Sequence, residues 1–193
     1  MRHHPLRGAT TGPTVAQAVR DELALFHIYP ALEAEVAPAR DFAAALIGGE
    51  NVKVEALKMV HERTGAGLFV YHDDGVLVGV MALILLTDEG LRAVMSDEFD
   101  ALSPAAAQVA RPNERPAGVY GWGIAAADKT AARRLVEASS AITTNSIGHL
   151  PHFVRPATEA GARLMERLGF RPYARSNKGL VLLDPQRDRR AAA

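Results

Sequence analysis

The chain has 193 residues, of which 48% are apolar and 23% charged, the composition of a globular protein able to bury a sizeable core. Lysine plus arginine balances aspartate plus glutamate at 22 each, which removes the usual electrostatic case for nucleic acid as a partner. The absence of cysteine excludes disulfides, thiolate metal sites and a cysteine nucleophile, and fits a reducing, cytoplasmic setting.

Residues 1–13 are rich in Gly, Thr, Pro and His and read as an irregular lead-in. His3 and His4 are adjacent, poor spacing for two ligands of one ion, so no metal site is expected. Helical patterning begins at Thr14, with Val15, Ala18, Val19, Leu23 and Phe26 on one side, and Tyr29 and Pro30 are expected to end it. A second helix is expected after Pro38, with Phe42, Ala45 and Leu46 inward and Gly48 and Gly49 as the stop. A third spans about Asn51 to Thr64, burying Val52, Ala56, Met59 and Val60; His61 lies near its end, where a protonated imidazole suits the helix dipole.

Leu68 to Tyr71 and Val76 to Leu86 flank Asp73–Asp74–Gly75, a hairpin signal. The second run is too short to span a bilayer, so no membrane partner is expected. It is apolar on both faces, which predicts a strand covered above and below and hence an α/β or α+β layer fold. Thr87 to Phe99 reads as a helix, and the proline-broken stretch to Ala117 makes a long connection that is either a lid or substrate wall or an excursion without a role at the site.

Val119 to Ala126 reads as a strand interrupted by Gly121 and Gly123, running into a helix capped at Asp128 with Ala132, Leu135, Val136 and Ser139 on one face. Such a joint aims the free N–H groups of the first helical turn beyond the sheet, which suits an anion such as phosphate. One more strand is expected over Gly148 to Arg155, carrying His149 and His152 as candidate general bases. A strand's alternation puts the two on opposite faces, unless Pro151 breaks it. A helix then opens at Thr158, places Gly161, Leu164, Met165 and Leu168 on one face, and closes at Gly169. Phe170 to Tyr173 and Gly179 to Leu183 complete a hairpin, and 184–193 reads as a fraying tail.

The segment Thr158 to Phe170, T-E-A-G-A-R-L-M-E-R-L-G-F, resembles the last helix of the GNAT acetyltransferase superfamily with its closing Leu-Gly-Phe, and the order of elements extends the resemblance over 67–183. It implies a GNAT-like mixed central sheet with helices on both faces, preceded by N-terminal helices over 14–66 that pack on the same unit. It further implies that Val119 to Ala126 is a fourth strand splayed from the fifth, with acetyl-CoA or another acyl-CoA in the gap. Ile124, Ala125, Ala126, Lys129, Thr130, Ala131 and Ala132 would then meet the cofactor, the last four standing in the family's diphosphate loop.

The implied reaction is direct attack of an amine acceptor on the thioester, with a homodimer compatible with the pattern. The sequence departs from the family at Asp128, whose carboxylate opposes a diphosphate, and at Thr130, where the loop has glycine. It also has Met165 where many members have the tyrosine that protonates the leaving thiolate; Tyr120 and Tyr173 are the substitutes. These departures leave open a second reading, a catalytically inactive GNAT-like module that senses a ligand or binds a protein.

Overall fold

The computed structural model describes residues 13–48 and 52–185. Most of both expected tails, and Gly49 and Asn51 at the ends of two expected helices, lie outside the described residues.

Helix α1 (Val15–Ala24) is capped by the Thr14 hydroxyl, which accepts from the Gln17 N–H at 3.2 Å. The helix ends earlier than its pattern predicts, and Ile28–Pro30, expected only to stop it, forms edge strand β1. Pro30 is tolerated there because it sits on an outer strand. Helix α2 (Val36–Ile47) buries Val36 and Ala39; of the residues expected inward, Phe42 packs against the core while Ala45 and Leu46 are exposed, Leu46 at 49%. Helix α3 (Val54–Thr64) buries Leu57, Val60 and Thr64.

His61 is a tether rather than a dipole partner. Its Nδ1 accepts from the Leu68 N–H at 3.1 Å and its Nε2 bonds the Ala31 carbonyl at 2.8 Å, which together tie α3 to β2 and to the residue just past β1.

Strands β2 (Leu68–Asp73) and β3 (Val76–Leu86) form the expected hairpin. Asp74 and Gly75 both take positive φ, 48° and 78°, as a two-residue turn matched to strand twist requires. Helix α4 (Asp88–Met95) is shorter than its pattern and starts at the Thr87 cap. Strand β4 (Gly118–Ala126) leads into α5 (Lys129–Asn145), and β5 is a three-residue strand, His152–Val154. The longer expected strand from Gly148 is replaced by turns up to Leu150, which leaves His149 off the sheet. Helix α6 (Glu159–Arg167) is capped by Thr158, and β6 (Arg171–Pro172) and β7 (Val181–Leu183) are the last strands among the described residues.

Among the described residues the strands make one mixed sheet of seven in the order β1-β2-β3-β4-β5-β7-β6. All neighbours are antiparallel except β4 and β5, which run parallel. Alternate strand residues feed two layers. Phe69, Tyr71, Met81, Leu83 and Val119 pack under α1 and α5, a surface termed face A below. On the other surface, face B, Leu68, Val70, Val80, Ile84, Tyr120 and Phe153 pack under α2, α3 and α4. The connection from α4 to β4 is thus a fixed wall of face B: Phe99 is buried with its ring 5.2 Å from that of Tyr120.

Strands β4 and β5 are drawn close at Gly121, where a Cβ would stand 2.9 Å from Val154 Cγ2. Gly121→Ala is therefore expected to push the two strands apart and cost about 1–3 kcal/mol, as read from urea unfolding.

Candidate functional site

Pairing between β4 and β5 is confined to three rungs, Val119 with His152, Tyr120 with Phe153 and Gly121 with Val154. Strand β4 continues to Ala126 without β5 beside it. A gap therefore opens in the sheet, closed at the Gly121–Val154 rung and open toward the start of α5.

The register against β3 decides what faces this gap. Leu83 pairs with Gly121 and Ala82 with Gly123, so Trp122 is the extra residue of a bulge. Before it, the Val119 N–H points to β5, donating to the Pro151 carbonyl at 2.9 Å. After it, the Ala127 N–H donates to the Val78 carbonyl of β3 at 2.9 Å. Strand alternation then aims the N–H and C=O groups of Gly123 and Ala125 at β3, and those of Ile124 and Ala126 into the gap.

The mouth of the gap is the N-terminus of α5. The Asp128 carboxylate accepts from the Ala131 N–H at 2.8 Å, and the Asp128 carbonyl takes the Ala132 N–H at 3.0 Å. In that first turn the N–H groups of Lys129 and Thr130 remain outward, on exposed residues. Of the residues expected to meet a cofactor, Ile124, Ala126, Lys129 and Thr130 turn backbone donors outward or into the gap. Ala125, Ala131 and Ala132 spend theirs within the fold and offer only small side chains.

Neither candidate imidazole reaches the gap. His149 is exposed in the turn before β5, at the paired end of the parallel strands. His152 is 4% exposed, and its Nε2 bonds the Ile147 carbonyl at 2.9 Å. Burial pushes the His152 pKa down; the Ile147 bond opposes this and nearby His149 adds slightly to it. The folded pKa thus lies below the unfolded one, so His152 contributes stability that is complete above the ordinary histidine value of 6.5 and lost as pH falls below it. Between pH 8 and pH 5 the decline in urea-unfolding free energy is expected to be shallower in His152→Asn than in the parent.

Tyr120 lies on the rung beside the closed end of the gap, on face B, and is 6% exposed. Burial raises its pKa and the nearby Arg155 guanidinium partly offsets that, so the phenol is protonated at neutral pH. Tyr173 is committed elsewhere, its hydroxyl donating to the Met95 carbonyl at 3.1 Å. Met165 is half-buried on α6.

Two sets of partners, those of Trp122 and of Asp97, were not legible in the sequence. Trp122 Nε1–H donates to the Ala101 carbonyl at 2.7 Å, fastening the wall of face B to the bulge. Asp97, at φ 63°, gathers the loop between β6 and β7: its carboxylate accepts from Ser176 Oγ at 2.8 Å and the Asn177 N–H at 3.2 Å, and its carbonyl accepts from Lys178 Nζ at 2.7 Å. An aspartate just past a helix end, where it tolerates a left-handed turn, was the available signal.

A separate open hollow of about 610 Å³ between α3 and 106–112 mixes Glu55, Glu62, Lys58, Arg63 and Arg111. Lys58 is already paired with Glu33 at 2.9 Å and Arg63 Nε donates to the Val109 carbonyl at 2.7 Å, so it offers less free recognition chemistry than the gap.

The mixed sheet and the parting of β4 from β5 fit the GNAT-like fold that the sequence resemblance implied. No family model matches the chain, and no curated protein matches it. Among solved structures, the chain is similar to a crystal structure described as histone acetyltransferase HPA2 and related acetyltransferase from Corynebacterium glutamicum, at 15% identity and TM-score 0.46, covering 80% of this chain and 93% of that one. It is also similar to the GphF GNAT-like decarboxylase in complex with isobutyryl-CoA, at 14% identity and TM-score 0.49, covering 82% of this chain and 98% of that one. Among the described residues no helix is long and apolar enough to cross a membrane.

Proposed function

We propose that the chain is an acyl-CoA-dependent N-acyltransferase whose cofactor lies in the gap between β4 and β5. The observation that carries this reading is the pair of backbone groups at Ile124 and Ala126, turned off the β3 ladder and left beside a strand that has already ended. An extended amide-bearing arm laid in the gap pairs with them as a further strand would. Its diphosphate then meets the outward N–H groups of Lys129 and Thr130, at the positive end of the α5 dipole.

Catalysis in this reading is positioning plus electrostatics. The thioester lies at the bulge, an amine attacks it directly, and backbone N–H groups of β4 stabilise the oxyanion. With Tyr120 buried on face B behind Trp122, and Met165 unable to donate, the leaving thiolate takes its proton from water. With no imidazole of the described residues at the gap, the proton of the attacking amine leaves through water.

Asp128 favours the second reading, an inactive ligand-sensing or protein-binding module, because its carboxylate stands at the anion end and takes one of the donors. Titration calorimetry separates the two. Acetyl-CoA is expected to bind in the micromolar range, and Thr130→Glu to weaken it at least about tenfold by like-charge repulsion. Asp128→Asn, which keeps the cap and removes the charge, is expected to tighten it by about two- to fivefold at low salt. No heat at millimolar acetyl-CoA would leave the binding-module reading.

A further inference from the structure

We infer that Trp122 walls off the reacting end of the gap and that the acyl group lodges in the notch left by Gly123, which restricts the acyl donor to two or three carbons. This rests on the acyl-CoA reading above. With the diphosphate at α5, the arm runs back along β4, and Ala126 to Trp122 spans about 13 Å at roughly 3.3 Å per residue. The run ends at the Gly121–Val154 rung, where no room remains even for a methyl group on Gly121. An acyl group at that end must leave the plane of the sheet.

On face B the bulge decides what it meets. Tyr120 and Ala125 both pack on this face, so the single inserted residue sets Trp122 and Gly123 side by side on it. The Trp122 indole packs against both clusters of face B and is held by its bond to the Ala101 carbonyl, so it is a fixed wall. Behind it the space is filled by Tyr120, Phe99 and Phe153, each 6% exposed or less. Gly123 is different: among the described residues, its two chain neighbours aside, a Cβ placed there would meet only Ile47 Cδ1, at 3.9 Å. That notch, bounded by the indole and Ile47, takes a methyl or ethyl group, and a longer chain must displace the indole.

The test is calorimetric titration with CoA, acetyl-CoA, propionyl-CoA, hexanoyl-CoA and octanoyl-CoA. The first three are expected to bind within about threefold of one another, and the two long chains at least about tenfold more weakly. Trp122→Ala is expected to bring hexanoyl-CoA to within about threefold of acetyl-CoA. Should that variant fail to fold, Gly123→Val serves, with CoA affinity kept and acetyl-CoA weakened about tenfold by the filled notch. Octanoyl-CoA bound by the parent as tightly as acetyl-CoA, or Gly123→Val leaving the two short ligands equal, overturns the inference while the cofactor reading stands. Failure of CoA and every acyl-CoA to bind overturns the cofactor reading and the inference with it.

Discussion

Ile124→Pro is expected to weaken acetyl-CoA binding by about ten- to a hundredfold while the protein stays folded. The Ile124 N–H faces the gap, so proline there breaks no ladder bond to β3, yet it removes a donor and sets its ring where the arm would lie. Ala125→Pro is the counterpart. The Ala125 N–H belongs to the ladder with Val80, and its loss is expected to cost about 1–3 kcal/mol of stability. Equal damage to binding and folding by the two prolines, seen by calorimetry and thermal unfolding, contradicts the assignment of N–H directions on either side of the bulge.

The second large effect concerns β5. Phe153→Ala is expected to destabilise the fold by about 3–5 kcal/mol. Phe153 is 1% exposed, its ring meets Tyr173 edge-on at 5.6 Å, and it sits on the middle rung of the three-residue strand that joins β7, and through it β6, to the rest of the sheet. The short strand has little backbone pairing to spare, so its hold depends on this one buried ring. Urea unfolding measures the cost, and Phe153→Leu, which keeps most of the volume, is expected to lose less than half as much.

The parts of this architecture legible in the sequence are those set by local chemistry. Thr14, Thr87, Asp128 and Thr158 announce helix starts because their side chains accept from N–H groups three residues on. Asp74–Gly75 announces its turn because both residues tolerate positive φ. Val76 to Leu86 announces a strand buried on both faces because no polar residue interrupts it. Ile28–Pro30 was hidden, since three residues ending in proline look like a helix stop until β2 is placed beside them. Leu46 faces outward against its pattern because α2 and α3 share a cover over face B, and that contact fixes which stripe of α2 faces inward.

The candidate site was legible as a place and illegible in detail. Two glycines around Trp122 mark an irregular strand, and Asp128 marks the helix that follows it. Which of Ile124, Ala125 and Ala126 turns its N–H into the gap depends on where the extra residue of the bulge falls, and only the pairing of Leu83 with Gly121 and Ala82 with Gly123 decides that. His149 and His152 are candidate bases by residue type, but Pro151 and the turns before it shorten the strand, leaving one imidazole in a turn and the other sealed against the Ile147 carbonyl.

Amide hydrogen exchange resolved to single residues, with and without acetyl-CoA, tests the cofactor gap most directly. Binding is expected to slow exchange at Ile124, Ala126, Lys129 and Thr130, with no comparable change at Gly123 and Ala125, which the β3 ladder already protects. Protection that spares Ile124 and Ala126, or that appears at the hollow beside α3 instead, contradicts a cofactor laid between β4 and β5.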